Sequence, residues 1–117
     1  MQTILVLDDD QVILDLLQTV LADAGYDTVV APGLHAIPAD TSADIVITDL
    51  VPLKVYRRES AIDWISSLRS RFGDSPLFIV TAHAEAVAEV DMLGANAILS
   101  KPFDVEVLLA KLDELLA

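Results

Sequence analysis

Four places in the sequence carry side chains suited to phosphate and metal chemistry: Asp8-Asp9-Asp10, Asp49, Thr81-Ala82 and Ser100-Lys101-Pro102. Each closes a short run of apolar or β-branched residues. Carboxylates drawn to one place repel each other and cost stability unless a cation neutralises them. Magnesium, a hard ion that takes oxygen ligands and keeps several waters, is the natural occupant, with manganese as a substitute. A lysine beside such a centre can neutralise a phosphate oxygen, and a threonine hydroxyl can donate to another. Taken singly, each residue has a plainer reading. The aspartate triplet can be a loop and helix cap, Asp49 a turn residue, Lys101 a solvated lysine and Thr81 a strand residue. Their joint position at four strand ends favours a common site.

The elements that must position them follow from periodicity. Thr3-Ile4-Leu5-Val6-Leu7 is a continuous β-favouring run, the pattern of a strand buried on both faces. Asp10 is placed to cap a helix in which Ile13, Leu16/Leu17, Val20/Leu21 and Ala24 recur, with Gly25 as its left-handed stop. Strands are predicted over Asp27–Ala31, Ile45–Thr48, Leu77–Thr81 and Ala97–Leu99. Helices are predicted through Ile62, Ile65, Leu68 and Phe72 up to Gly73, over Glu85–Leu93, and after Asp104 along Val105, Leu108/Leu109, Leu112 and Leu115/Leu116. Residues 32–43 contain Pro32, Gly33 and Pro38, so the second helix is short or broken. Alternating strands and helices with crossover-length connections give an α/β fold, a parallel sheet covered on both faces, in one domain spanning 1–117. In such sheets ligands bind beyond the carboxyl ends of the strands.

Composition narrows the function. The chain has 117 residues, 54% of them hydrophobic, and a mean hydropathy of +0.54, which excludes a disordered polypeptide. No apolar run approaches the roughly 18 residues of a membrane span. A strand follows Met1 almost at once, with no basic start or cleavable apolar stretch, and cysteine is absent. Disulfides, thiolate catalysis and zinc–thiolate sites are thereby excluded, and a cytoplasmic protein is expected. A net charge of −12 argues against direct contact with nucleic acid or an anionic membrane. Three of the seven basic residues, Lys54, Arg57 and Arg58, crowd one stretch that is expected to be a solvated loop, a cover over the pocket or a partner contact.

The segments Ile4-Leu-Val-Leu-Asp8-Asp9-Asp10, Asp44-Ile-Val-Ile-Thr-Asp49-Leu, Phe78-Ile-Val-Thr81-Ala82-His83 and Gly94-Ala-Asn-Ala-Ile98-Leu-Ser-Lys101-Pro102-Phe103 resemble, in order and spacing, the receiver (CheY-like) domain of two-component response regulators. The resemblance spans essentially the whole chain. It implies a three-layer, doubly wound, flavodoxin-like sheet of five parallel strands in the order 2-1-3-4-5. It further implies a phosphoacceptor at Asp49, fed by a sensor histidine kinase or phosphotransfer protein. Mg²⁺ would be held by Asp8, Asp9, Asp49 and the backbone carbonyl of Val51. Thr81, Ala82 and Lys101 would form the phosphoryl-binding switch, with a cis peptide at Lys101-Pro102. Val51 and His83 match positions that tune phosphoryl lifetime, and the only catalysis implied is self-phosphorylation and self-dephosphorylation. Signalling through a protein partner or a separate output domain is expected.

Three departures stand against the family pattern. The family has Pro four residues and Gly eight residues after the phosphoacceptor, whereas Pro52 follows Asp49 by three. Ala61 takes the glycine position, which makes the loop about four residues longer. Ile98 replaces the usual Tyr or Phe whose swing reports phosphorylation, and the second helix is curtailed. Two rival functions therefore stand beside the first: a pseudo-receiver scaffold that is never phosphorylated, and a haloacid-dehalogenase-like phosphatase. The latter is hinted at by the weak match Asp8-x-Asp10-x-Val12.

Overall fold

A computed structural model describes residues 1–51 and 53–117. Pro52, and with it the shifted proline of the family pattern, lies outside the described residues. Five parallel strands, β1 (Thr3–Leu7), β2 (Asp27–Ala31), β3 (Ile45–Thr48), β4 (Leu77–Thr81) and β5 (Ala97–Ser100), form one sheet in the order β2-β1-β3-β4-β5. The continuous apolar runs are continuous because both faces are covered. Leu5, Leu7, Val46, Leu77 and Ile79 point into one core, while Ile4, Val6, Ile45, Ile47, Phe78 and Val80 point into the other. The flavodoxin-like, three-layer arrangement implied by the sequence is the observed one. β5 runs one residue further than predicted, to Ser100.

Helices α1 (Gln11–Asp23) and α5 (Val105–Leu116) close the second core through Leu14, Leu17 and Leu21 and through Leu108 and Leu112. Both begin at an aspartate cap. Asp10 accepts from the Val12 amide at 2.9 Å and Asp104 from the Glu106 amide at 2.8 Å, which satisfies helix-start donors that would otherwise be unpaired. The buried stripe of α1 is rotated from the one predicted. Leu14 is buried, whereas Leu16 is 41% exposed beside Val12 at 73%. The Ile13/Leu16 periodicity thus mixes core with surface.

Helix α2 (Arg58–Phe72) and two single turns, α3 (Ala84–Val87) and α4 (Val90–Leu93), cover the opposite face. The helix predicted over Glu85–Leu93 is therefore not continuous. Only Ala86 and Leu93 anchor it fully in the core, and Glu89 leaves helical geometry at φ −115°, ψ 13°. Gly94, at φ 80°, ends α4 in a left-handed conformation that other residues rarely adopt. The second helix is reduced to one 3₁₀ turn, Leu34–Ala36, as the Pro/Gly content requires. Arg71 holds this segment in place by donating to the Pro38 carbonyl at 2.9 Å and the Ile37 carbonyl at 3.4 Å, so buried Ile37 caps the core where a helix would have lain.

Candidate functional site

At the carboxyl edge of the sheet, β1 delivers Asp8 and Asp9, β3 delivers Asp49 and β5 delivers Lys101. Carboxylate oxygens of Asp8, Asp9 and Asp49 all lie within 4.8 Å of one another. Lys101 Nζ bridges two of them, at 2.7 Å from Asp8 Oδ2 and 3.0 Å from Asp49 Oδ2. Asp8 is buried, Asp49 is half-buried and Asp9 is exposed, so the cluster opens to solvent on one side. Asp8 is fixed from both ends, since its Oδ1 accepts the Asp10 amide at 2.9 Å. Asp49 Oδ1 accepts the Leu50 amide at 2.7 Å. The Lys101–Pro102 peptide is cis.

Burial pushes the Asp8 carboxyl above the ordinary carboxylate range, outweighing the opposing hydrogen bonds from Lys101 and the Asp10 amide; the nearby Asp49 charge adds to the rise. For Lys101, burial acts downward, but its hydrogen bonds and attraction to Asp8 and Asp49 together win and raise it. The ammonium is thus firmly held and ionised, while Asp8 is the carboxylate whose charge is costly. A second cation would relieve that cost.

Thr81 is fully buried at the end of β4, and its Oγ1 accepts the His83 amide at 3.1 Å. Its carbonyl accepts the Lys101 amide at 2.8 Å, tying the two strand ends together. Ala82 is exposed and lines a groove of about 470 Å³ with Ile13, Leu16, Lys101, Pro102 and Phe103. Val51 packs half-buried against the α2-side core, as does Ile98. The His83 ring does not turn to the carboxylates: its Nε2 is 3.1 Å from the Leu53 carbonyl oxygen, and its centroid is 6.2 Å from that of Tyr56. The basic stretch separates likewise. Lys54 and Arg57 are exposed and form no ion pair among the described residues, whereas Arg58 pairs with Glu89 at the α3–α4 junction.

Sequence reasoning passed over three contributors. Thr48, buried just before Asp49, donates to the Asp49 carbonyl at 2.6 Å and accepts from the Trp64 indole at 2.9 Å. A threonine closing an otherwise apolar strand, and the single tryptophan of the chain, were the available signals. Tyr56 is the third. Burial first, and the Glu89 carboxylate second, push its phenol from 10.0 up to about 12. A tyrosine that ionises later when folded stabilises the fold fully below pH 10 and loses that contribution as the pH climbs towards 12. Phenolate absorbance is therefore expected to show one late step that Tyr56→Phe removes. Complete ionisation of both tyrosines by pH ~10 would contradict this placement.

The model of the response regulator receiver domain matches residues 4–113. The chain belongs to this family. As a receiver, it is 34% identical to the response regulator MprA of Mycobacterium sp. (strain KMS) over 119 aligned positions, covering 97% of this chain and 50% of MprA. It is also 34% identical to the DNA-binding dual master transcriptional regulator RpaA of Synechocystis sp., covering 99% of this chain and 49% of RpaA. The receiver thus spans about half the length of the curated relatives it matches. Among solved structures, the chemotaxis response regulator CheY4 of Vibrio cholerae superposes with a TM-score of 0.79 at 26% identity, over 98% of both chains. TrrA of Thermotoga maritima, in complex with Mg²⁺-BeF, shares the fold with a TM-score of 0.78 at 24% identity, over 98% of this chain and 99% of TrrA. No helix of the described residues is long and apolar enough to cross a membrane.

Proposed function

We propose that this receiver takes a phosphoryl group onto Asp49 from a sensor histidine kinase or phosphotransfer protein and signals through a partner or an attached output domain in the cytoplasm. The observation that carries the reading is the convergence of Asp8, Asp9 and Asp49 on one point, with Lys101 reaching two of them. Asp8, Asp9, Asp49 and the Val51 carbonyl would hold Mg²⁺, which supplies positive charge to the phosphoryl oxygens as they crowd the pocket. Attack by an Asp49 oxygen forms the O–P bond while the donor's P–N bond breaks, its electron pair leaving on the imidazole nitrogen. The protein's task is positioning and charge neutralisation. Asp49 is held by the Leu50 amide and the Thr48–Trp64 pair, and Lys101 can transfer from Asp49 to a phosphoryl oxygen without leaving the pocket. The Thr81 hydroxyl, now accepting from His83, can donate its own proton to another phosphoryl oxygen.

The groove beside Lys101 suits the donor. Ile13, Leu16, Pro102 and Phe103 make an apolar rim around a charged centre, the surface on which an amphipathic helix bearing a phosphohistidine would seat. The phosphatase reading loses its second residue, because the Asp10 carboxylate is engaged in capping α1. Incubation with acetyl phosphate and Mg²⁺ is expected to add the mass of one phosphoryl group to the intact chain, and a chelator to prevent it. An unmodified chain under both conditions would favour the pseudo-receiver scaffold.

An apolar Val51 gives an attacking water nothing to bind, and His83 Nε2 is engaged with Leu53. The acyl phosphate should therefore be long-lived. Val51→Asn is expected to shorten its lifetime by about tenfold, the ~1.4 kcal/mol of one water-orienting hydrogen bond. Decay of the phosphorylated mass after removal of acetyl phosphate measures it, and an unchanged decay would reject this role for position 51.

A further inference from the structure

We propose that residues 53–58, leading from the β3 side into α2, are a strap that couples Thr81 to the α3–α4 junction, with His83 as the positioning residue at its centre; this rests on the phosphoacceptor reading above. Four contacts in series carry it. The Thr81 hydroxyl accepts the His83 amide at 3.1 Å, and the His83 ring reaches the Leu53 carbonyl, also at 3.1 Å. The same ring lies against Tyr56 at 6.2 Å and an interplanar angle of 40°. Two residues on, Arg58 grips Glu89, the residue at which the α3–α4 segment breaks out of helical geometry.

These contacts place one end of the strap on the switch hydroxyl and the other on a hinge. Tyr56 and Ile98 pack against the same core, so an aromatic ring occupies this side of the molecule although β5 provides none. The Tyr56 hydroxyl is buried beside the Glu89 carboxylate, which Arg58 also grips. A carboxylate reached by both a phenol and a guanidinium can exchange one for the other as the loop changes arrangement. When Thr81 turns its hydroxyl to a phosphoryl oxygen, the His83 amide loses its acceptor. The ring then shifts from Leu53 and Tyr56, and the Arg58–Glu89 grip on the hinge loosens.

Amide exchange read by NMR tests this at two protons: Leu53 N–H, bonded to Leu50 O, and Glu89 N–H, bonded to Ala86 O. Mg²⁺ and beryllofluoride are expected to accelerate both by about tenfold in the unmodified chain. His83→Phe keeps a ring against Tyr56 but removes the bond to Leu53; both amides should then exchange fast without beryllofluoride. His83→Gln, which retains a donor, should restore slow exchange and the response. Arg58→Gln should keep the response at Leu53 and abolish it at Glu89. A bound-fluoride signal by ¹⁹F NMR with unchanged exchange at both amides overturns the strap alone. Absence of any bound fluoride overturns the strap together with the phosphoacceptor reading.

Discussion

Asp49→Asn is expected to abolish phosphorylation by acetyl phosphate while leaving the chain folded. The asparagine carbonyl can still accept the Leu50 amide, so the turn after β3 keeps its hydrogen bond. What disappears is the charge of the carboxylate proposed as the nucleophile, one of three carboxylates that converge within 4.8 Å. Stability should change by no more than about 1 kcal/mol, because the lost Lys101–Asp49 contact is partly solvated and Lys101 keeps Asp8. Mg²⁺ affinity should fall by at least about tenfold, ~1.4 kcal/mol, for the loss of a charged ligand. Intact mass and a metal titration monitored by Trp64 fluorescence report the two effects. Trp64 is suited to this because its indole donates to Thr48, adjacent to Asp49. A phosphoryl adduct on the asparagine variant would remove Asp49 from the role.

Lys101→Met is expected to act in opposite directions on stability and on metal binding. The ammonium is the partner of buried Asp8 and compensates the desolvation that, together with the Asp49 charge, raises the Asp8 carboxyl. Its removal leaves a carboxylate pair facing itself. Breaking a fully buried pair costs about 3–5 kcal/mol, and ~2 kcal/mol is expected here, since Asp9 and Asp49 stay open to solvent and Asp8 can relieve its charge by protonation. Because Lys101 engages Asp8 and Asp49, two of the three carboxylates that would take a metal, the variant should bind Mg²⁺ about tenfold more tightly, and Mg²⁺ should restore most of the lost stability. Urea unfolding with and without Mg²⁺ separates these effects. Equal stability of variant and parent in the absence of metal would show that Lys101 is not the counter-charge of Asp8. Since Lys101 is raised by its partners, its own stabilising contribution holds through neutral pH and fades only as the pH rises through its elevated value.

The central sheet and its carboxyl edge were legible because strands buried on both faces write themselves as unbroken apolar runs, and four of the five have the predicted bounds. Asp8, Asp9, Asp49 and Lys101 could be brought together from sequence because strand ends in a parallel sheet are forced to one edge. The helices were less legible. In α1 the 3.6-residue period allows two adjacent stripes, and only packing decides that Leu14 goes in and Leu16 stays out. The Arg58–Glu89 pair at the break joins residues thirty-one positions apart in the chain, which no local pattern encodes. For the same reason the Thr48–Trp64 bond and the His83–Leu53 contact were invisible: each joins different elements through a single polar atom. The basic stretch illustrates the limit of charge reading, since a solvated loop, a pocket cover and a partner contact were all open, and only the fold leaves Lys54 and Arg57 exposed and directs Arg58 to Glu89.

The most direct test is chemical trapping of the phosphorylated residue. An acyl phosphate on an aspartate is reduced by borohydride to homoserine, whereas a free carboxylate is not. After incubation with acetyl phosphate and Mg²⁺, reduction and peptide sequencing by mass spectrometry should place homoserine at position 49 alone. Homoserine at position 8, or no homoserine anywhere, would contradict the account.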